Sequence, residues 1–96
     1  MTFYLIAHVE IRDPETYALY GAGFMPVLQQ YKGQLLAVSD APEVLEGETA
    51  GGRRVVVAFE NRDVAMAWWN SPEYRAIVVH RHAASDALIL GMEGLG

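Results

Sequence analysis

The stretch Trp68-Trp69-Asn70-Ser71-Pro72-Glu73-Tyr74 marks the end of one helix and the beginning of another. Ser71 can accept a hydrogen bond from a backbone N–H of the new helix, which suits an N-cap. Pro72 fits the first helical position because its missing N–H needs no partner there, and Glu73 suits the positive end of the helix dipole. Asp13-Pro14-Glu15 repeats this arrangement near the start of the chain. Each half of the chain is therefore predicted to contain a capped helix.

Four segments have the pattern of β-strands. Residues 3–11 alternate between an apolar face and a mixed face, formed respectively by Phe3, Leu5, Ala7, Val9, Ile11 and by Tyr4, Ile6, His8, Glu10. The other three segments are residues 34–39, 55–60 and 87–93. A helix follows the first strand and a helix pair precedes the last. This βαββαβ order predicts a ferredoxin-like α+β fold, in which helices cover one face of an antiparallel sheet.

Local breaker residues predict three further details. The helical spacing after Pro14 is interrupted by Gly21, Gly23 and Pro26. Because an interior proline clashes with the carbonyl four residues before it, a kink or break is predicted at residues 22–25. Gly33 is a suitable C-cap for this helix. Residues 40–53 are predicted to be a loop region, in which Val44-Leu45 form a short edge strand.

Composition narrows the class of protein. A chain of 96 residues predicts a single domain over residues 1–96, and an apolar fraction of 52% excludes a disordered chain. No segment approaches the roughly 18–20 apolar residues of a membrane span, and the N-terminus lacks the features of a signal peptide, so a cytoplasmic location is expected. The absence of cysteine excludes disulfides and thiolate sites. The net charge of −5 argues against nucleic-acid binding, and the doublet Arg53-Arg54 is interpreted as a solvated strand edge.

One face of the predicted sheet has no helix to cover it. If the Phe3 face lies against the helices, Tyr4, Ile6 and His8 lie on the opposite, open face. A large apolar patch is rarely left in water, so a second copy of the chain is expected to cover it. The expected partner is therefore the protein itself, as a homodimer.

Over almost its whole length the chain resembles the family of unknown function designated thirteen-thirty, within the dimeric α+β barrel superfamily. The matching segments include Ala7-His8-Val9, Asp13-Pro14-Glu15, Tyr31-Lys32-Gly33, Pro42-Glu43-Val44-Leu45-Glu46-Gly47, Val55-Val56-Val57, Ala67-Trp68-Trp69-Asn70-Ser71-Pro72-Glu73-Tyr74 and Arg81. The resemblance implies a homodimer in which two facing sheets enclose a barrel. It implies no activity, because none is established for the family.

His8 is the candidate catalytic residue. Its imidazole lies in mid-strand beside Tyr4, Ile6 and Glu10, where it could face the barrel cavity and act as acid, base or ligand donor. Tyr4 shares that face and is a candidate ligand contact. The alternative interpretation is a half-buried histidine that serves packing or the dimer interface.

Metal and cofactor sites are not expected. His80 and His82 diverge by about 200° on a helix, whereas a helical metal pair needs a spacing of four residues. The acidic loop that contains Glu43, Glu46 and Glu48 lacks the spacing of a cation site and is interpreted as solvated charge. Glu46 is kept as a candidate ligand contact because it belongs to the family resemblance. No glycine-rich phosphate or dinucleotide motif occurs.

Aromatic residues of the segment Trp68–Tyr74 could line a pocket for a flat ligand. Trp68 is predicted to face the sheet, which leaves Trp69 and Tyr74 as candidate ligand contacts. Arg81 shares a helix stripe with Tyr74 and could anchor a substrate carboxylate. The alternative, slightly favoured, is that Arg81 pairs with Glu73 or Asp86 as a structural ion pair.

Two functions are consistent with this pattern. The first is a small cytoplasmic homodimer whose cavity binds, or also transforms, a small hydrophobic or aromatic molecule. The second is a non-catalytic binding or interaction module whose cavity is filled by its own side chains. An open pocket with converging polar groups would favour the first, and a packed interface the second.

Overall fold

The computed structural model, which describes residues 1–49 and 51–96, contains one sheet and three helices. The elements are β1 (Phe3–Ile11), α1 (Pro14–Gln30), β2 (Gln34–Ser39), β3 (Arg53–Phe59), α2 (Arg62–Trp69), α3 (Pro72–Ala84) and β4 (Ser85–Glu93). The strand order is β2-β3-β1-β4, and every neighbouring pair is antiparallel. The predicted ferredoxin-like α+β fold is confirmed.

The alternating pattern of β1 places its apolar face under the helices. Phe3, Leu5 and Val9 are buried, whereas Tyr4 and His8 are half-buried on the other face. The burial of the first three side chains, at roughly 1.5–3 kcal/mol each, fixes which face of the sheet the helices cover. No helix among the described residues is long and apolar enough to cross a membrane.

Both predicted N-caps, at Asp13 and Ser71, are present, and Asn61 caps the remaining helix. The Ser71 hydroxyl accepts a hydrogen bond from the Tyr74 N–H at 3.0 Å and donates one to the Trp68 carbonyl at 2.8 Å. Asp13 and Asn61 cap α1 and α2 with their side-chain oxygens. Because the Ser71 hydroxyl bonds both helices, it sets the turn that brings α2 and α3 together.

Helix α1 is not broken at residues 22–25, so that prediction is wrong on the break. The helix runs continuously from Pro14 to Gln30 with Pro26 inside it. Pro26 and Ala22 are both exposed. The Ala22 carbonyl, which loses its N–H donor at Pro26, can therefore bond to water, and the helix continues.

Two smaller predictions are also wrong. Helix α1 ends at Gln30 with Tyr31 as its C-cap, and Lys32, at a φ of 60°, takes the left-handed position expected for Gly33. The Gly33 N–H then donates to the Leu28 carbonyl at 2.9 Å, and the glycine is needed because a Cβ there would lie 2.7 Å from the Phe59 ring. Val44 and Leu45 form no strand. Both side chains are exposed in the loop between β2 and β3.

The open face of the sheet carries a continuous apolar row. Ile6 of β1 lies between Val56 of β3 and Leu90 of β4. Leu88 and Met92, two residues on either side of Leu90, are more than half exposed. The chain alone therefore leaves this face uncovered, as the alternation of β1 predicts.

Candidate functional site

A cavity of about 190 Å³ lies between the sheet and the helices. The sheet contributes its small and branched apolar side chains, including Leu5, Ala7, Val55, Val57 and Ile89. The helices contribute mainly aromatic side chains: Tyr17, Tyr20 and Phe24 from α1, Trp68 and Trp69 from α2, and Tyr74 from α3. The spacing of these residues on each helix is the helical one, so a single face of α1 supplies three rings. The cavity is thus lined by aromatic rings on its helix side.

The segment Trp68–Tyr74 forms part of the wall of this cavity. The rings of Trp68 and Tyr74 have centroids 4.0 Å apart, joined by the turn that Ser71 holds. Trp68 is buried against the Phe59 ring, and Trp69 is half-buried. The predicted inward orientation of Trp68 and the freer position of Trp69 are confirmed.

Tyr20 and Tyr74 present a pair of buried hydroxyls. Their oxygens lie 2.9 Å apart. Burial, and then the neighbouring Tyr74, raise the pKa of Tyr20 above its ordinary 10.0. Burial also raises the pKa of Tyr17. Tyr17 and Tyr20 therefore keep their protons at neutral pH and act as hydrogen-bond donors or acceptors rather than as bases.

Arg81 lines the cavity with its charge unpaired. The residue is 5% exposed, and its Nε has no hydrogen-bond partner among the described residues. Its guanidinium carbon lies 5.6 Å from the centre of the Tyr20 ring. The sequence interpretation of Arg81 as one half of a structural ion pair with Glu73 or Asp86 is wrong.

The two carboxylates expected for Arg81 are engaged elsewhere. Glu73 accepts hydrogen bonds from Gln30 at 2.8 Å and from the Tyr31 hydroxyl at 3.2 Å. Asp86 pairs with Arg12 at 3.1 Å. Spacing along the helix allowed both pairings with Arg81, but α1 and the end of β1 supply competing partners that only the fold reveals.

Arg53 is a second guanidinium at the cavity, and sequence reasoning missed it. It lies on β3, a central strand, so the interpretation of Arg53-Arg54 as a solvated strand edge is wrong for this residue. Its guanidinium binds Asp40 through two hydrogen bonds, of 2.6 and 3.1 Å. The sequence pattern could have shown this: Arg53, Val55 and Val57 are two residues apart, so their side chains lie on the same face of the strand.

The other candidates lie away from the cavity. His8 and Tyr4 are on the open face of the sheet, where His8 lies between Arg54 and Leu88. Glu46 is exposed in the loop before β3. The fold of one chain therefore brings together Trp69, Tyr74 and Arg81, and separates them from His8, Tyr4 and Glu46. No group of three potential metal ligands occurs among residues 1–49 and 51–96.

The comparison with known families agrees with the sequence resemblance. A family model described as "Domain of unknown function (DUF1330)" matches residues 2–95. The chain belongs to this family. No curated protein matches the DUF1330 chain significantly.

Solved structures share the fold at low sequence identity. A protein of unknown function from Rhodopseudomonas palustris is 20% identical, with a TM-score of 0.84 over 99% of this chain and 83% of its own. A dimeric ferredoxin-like protein of unknown function from Thermobifida fusca is 14% identical, with a TM-score of 0.66 over 98% and 92%. SnoaB, a cofactor-independent oxygenase from Streptomyces nogalater, is 12% identical, with a TM-score of 0.61 over 99% and 92%. These similarities establish the fold of the DUF1330 chain.

Proposed function

We propose that the protein binds a small, largely apolar or aromatic molecule in the cavity between its sheet and helices. The supporting observation is the open, ring-lined space of about 190 Å³ inside the core. Ligand sites are typically concave and mostly apolar, with a few polar groups that converge on them. Here the lining residues that carry polar groups include Tyr20, Tyr74 and Arg81.

The cavity favours this proposal over an interaction module with a filled core. A purely structural core can fill such a space by placing a larger side chain there. Gly21, which borders the cavity, illustrates the point, because a Cβ at this position would meet nothing within 4 Å. The space is left open although a larger residue would fit.

We further propose that the protein acts in the cytoplasm as a homodimer joined through the open face of its sheet. The support is the row of exposed apolar side chains that includes Leu88, Leu90 and Met92. Two solved neighbours, from Thermobifida fusca and from a Jannaschia species, are dimeric ferredoxin-like proteins. In this arrangement each subunit keeps its own cavity on the helix side of the sheet. His8 lies at the interface between the sheets.

Tryptophan fluorescence tests the binding proposal directly, since the protein's two tryptophans, Trp68 and Trp69, both line the cavity. Small aromatic compounds are expected to change the emission with saturable binding. Gly21→Leu should block this response, because the new side chain enters the cavity mouth, and it should also stabilise α1, because glycine is a poor helix former.

Ala22→Leu is the matched control, since Ala22 is an exposed neighbour on the same helix and does not line the cavity. It should leave binding intact. Equal binding by wild type and Gly21→Leu would show that the compounds bind elsewhere, and the proposal would be wrong.

A further inference from the structure

We infer that the ligand of this cavity is an aromatic carboxylate or a comparable planar oxyanion, and that Arg81 holds its charged group. This inference rests on the proposed function and adds the chemical class of the ligand. It begins from the guanidinium of Arg81, a cation within a residue that is 5% exposed.

A buried cation needs a counter-charge. Removing a charged group from water is strongly unfavourable unless an opposite charge or a set of hydrogen-bond acceptors replaces the water. Among residues 1–49 and 51–96, the two ion pairs are Arg12 with Asp86 and Arg53 with Asp40. The Tyr20 ring, 5.6 Å from the Arg81 guanidinium, gives a cation–π contact but no negative charge.

The comparison with Arg53 shows what is missing at Arg81. Both residues line the cavity. Arg53 is the more exposed of the two, and Asp40 already occupies its planar edge with two hydrogen bonds. Arg81 is the more deeply buried and has no such partner in the described part of the chain. A ligand carboxylate at Arg81 would reproduce the geometry that Asp40 shows at Arg53.

The unpaired groups around the cavity share one polarity. Two buried side-chain polar atoms lack a hydrogen-bond partner in the described residues, Trp68 Nε1 and Arg81 Nε. Both are N–H donors, and both belong to residues that line the cavity. Buried polar atoms are normally satisfied, so each of these donors lacks an acceptor; each has less than 1 Å² of accessible surface, and a ligand acceptor reaches it only after its side chain turns.

The walls define the rest of the ligand. The rings of Trp68 and Tyr74 lie against each other, with centroids 4.0 Å apart, and the Phe24 ring is edge-on to Trp68 at 6.2 Å. Such walls suit a flat apolar body that can stack on them. A planar ring that bears one carboxylate satisfies the walls and the donors together.

The test is a fluorescence titration with acid and amide pairs of matched shape. The probes are benzoate with benzamide and 1-naphthoate with 1-naphthamide. For wild type, at least one acid should bind about tenfold more tightly than its amide. Arg81→Met keeps much of the side-chain volume but removes the charge, and it should abolish this preference. Arg81→Lys should keep part of it, because it retains a point charge without the two-pronged donor edge.

Arg54→Met is the matched control. Arg54 neighbours Arg53 on β3, but its side chain bonds to Gly51 and Thr49 of the loop and does not line the cavity. This variant loses the same unit of charge and should retain the preference for the acid. A loss of preference in both variants would indicate a general effect of net charge and would overturn the inference.

Thermal unfolding without ligand supplies the second readout. An unpaired buried cation destabilises the folded protein, so Arg81→Met should unfold at a higher temperature than wild type. A lower unfolding temperature, together with an unchanged preference for acids, would make Arg81 a structural residue and overturn the inference. If amides bind as tightly as acids, the inference is wrong but the proposed function is supported. If neither the acids nor the amides bind wild type, both the inference and the proposed function are wrong.

Discussion

The hydroxyl oxygens of Tyr20 and Tyr74 lie 2.9 Å apart, and this contact joins α1 to α3 inside the core. Tyr20 also lies beside Arg81, so the pair connects the packing of two helices with the charged end of the cavity. Burial is the largest cause of the raised pKa of Tyr20. The folded protein therefore holds the Tyr20 proton at alkaline pH where the unfolded chain releases it.

This difference predicts a loss of stability at high pH. Above about pH 10 the folded state binds more protons than the unfolded state, so the free energy of unfolding should fall as the pH rises. Below that pH both states are protonated and Tyr20 adds no dependence. Tyr20→Phe removes the group, and its unfolding free energy should decline less steeply between about pH 9 and 11. Urea unfolding across this range checks it, and parallel declines for wild type and Tyr20→Phe would contradict it.

Ser71→Ala should destabilise the protein by about 1–2 kcal/mol without changing its secondary structure. The hydroxyl is buried, caps α3 and also bonds the Trp68 carbonyl at the end of α2. Asn61→Ala, at an exposed cap, should cost less because water can replace the lost bond. Circular dichroism and urea midpoints measure both. A Ser71→Ala midpoint equal to that of wild type would mean that the cap contributes nothing to stability.

Trp68→Ala should cost about 3–5 kcal/mol, whereas Trp69→Ala should cost about 1–2 kcal/mol. Trp68 is 3% exposed and packs on Phe59 and Tyr74, while Trp69 is half-buried at the cavity. Both values come from the free energy of unfolding in urea. An equal or larger loss for Trp69→Ala would show that the packing around α2 is misassigned.

Local signals in the sequence were sufficient for the architecture. The caps at Asp13, Asn61 and Ser71 were predictable because each depends on a side chain that bonds a backbone N–H three residues later. The burial of Trp68 followed from helical periodicity. The break predicted from Pro26 was wrong for a physical reason: the missing hydrogen bond faces solvent, where the helix tolerates it.

The candidate site was only partly predictable, because a cavity depends on which elements meet. Trp69, Tyr74 and Arg81 were predicted as ligand contacts from their helical spacing in and after the segment Trp68–Tyr74. Tyr17 and Tyr20 have the helical spacing of an ordinary core stripe, and nothing local distinguishes a stripe that fills a core from one that borders a cavity. The free charge of Arg81 was hidden for the same reason. It depends on Gln30 and Tyr31 binding Glu73, and on Arg12 binding Asp86.

The homodimer predicts a specific sensitivity of the open face. Light scattering should show a dimer at tens of micromolar, and Leu90→Lys should shift it toward monomer, because a charge would be buried between the sheets. Val79→Lys is the control, since Val79 is also about half exposed but lies on α3. It should leave the dimer intact. A monomeric wild type, or equal effects of the two lysines, would contradict an interface on this face.

A variant of His8 tests whether the dimer interface and the ligand cavity lie on opposite faces of the sheet. The sequence suggested His8 as a catalytic or ligand-binding group in a barrel cavity, but the cavity of each chain lies on the opposite side of the sheet. Because His8 lies on the open face beside Arg54 and Leu88, His8→Ala is expected to weaken the dimer.

The same variant should leave the affinity of aromatic probes for the cavity unchanged. Dimer dissociation and fluorescence titration are therefore measured on one preparation of His8→Ala, with Leu90→Lys alongside to show what loss of the dimer alone does to binding. If His8→Ala instead remains dimeric and loses the probe while Leu90→Lys still binds it, His8 contributes to ligand binding from the open face. The separation of interface and cavity drawn from the fold would then be wrong.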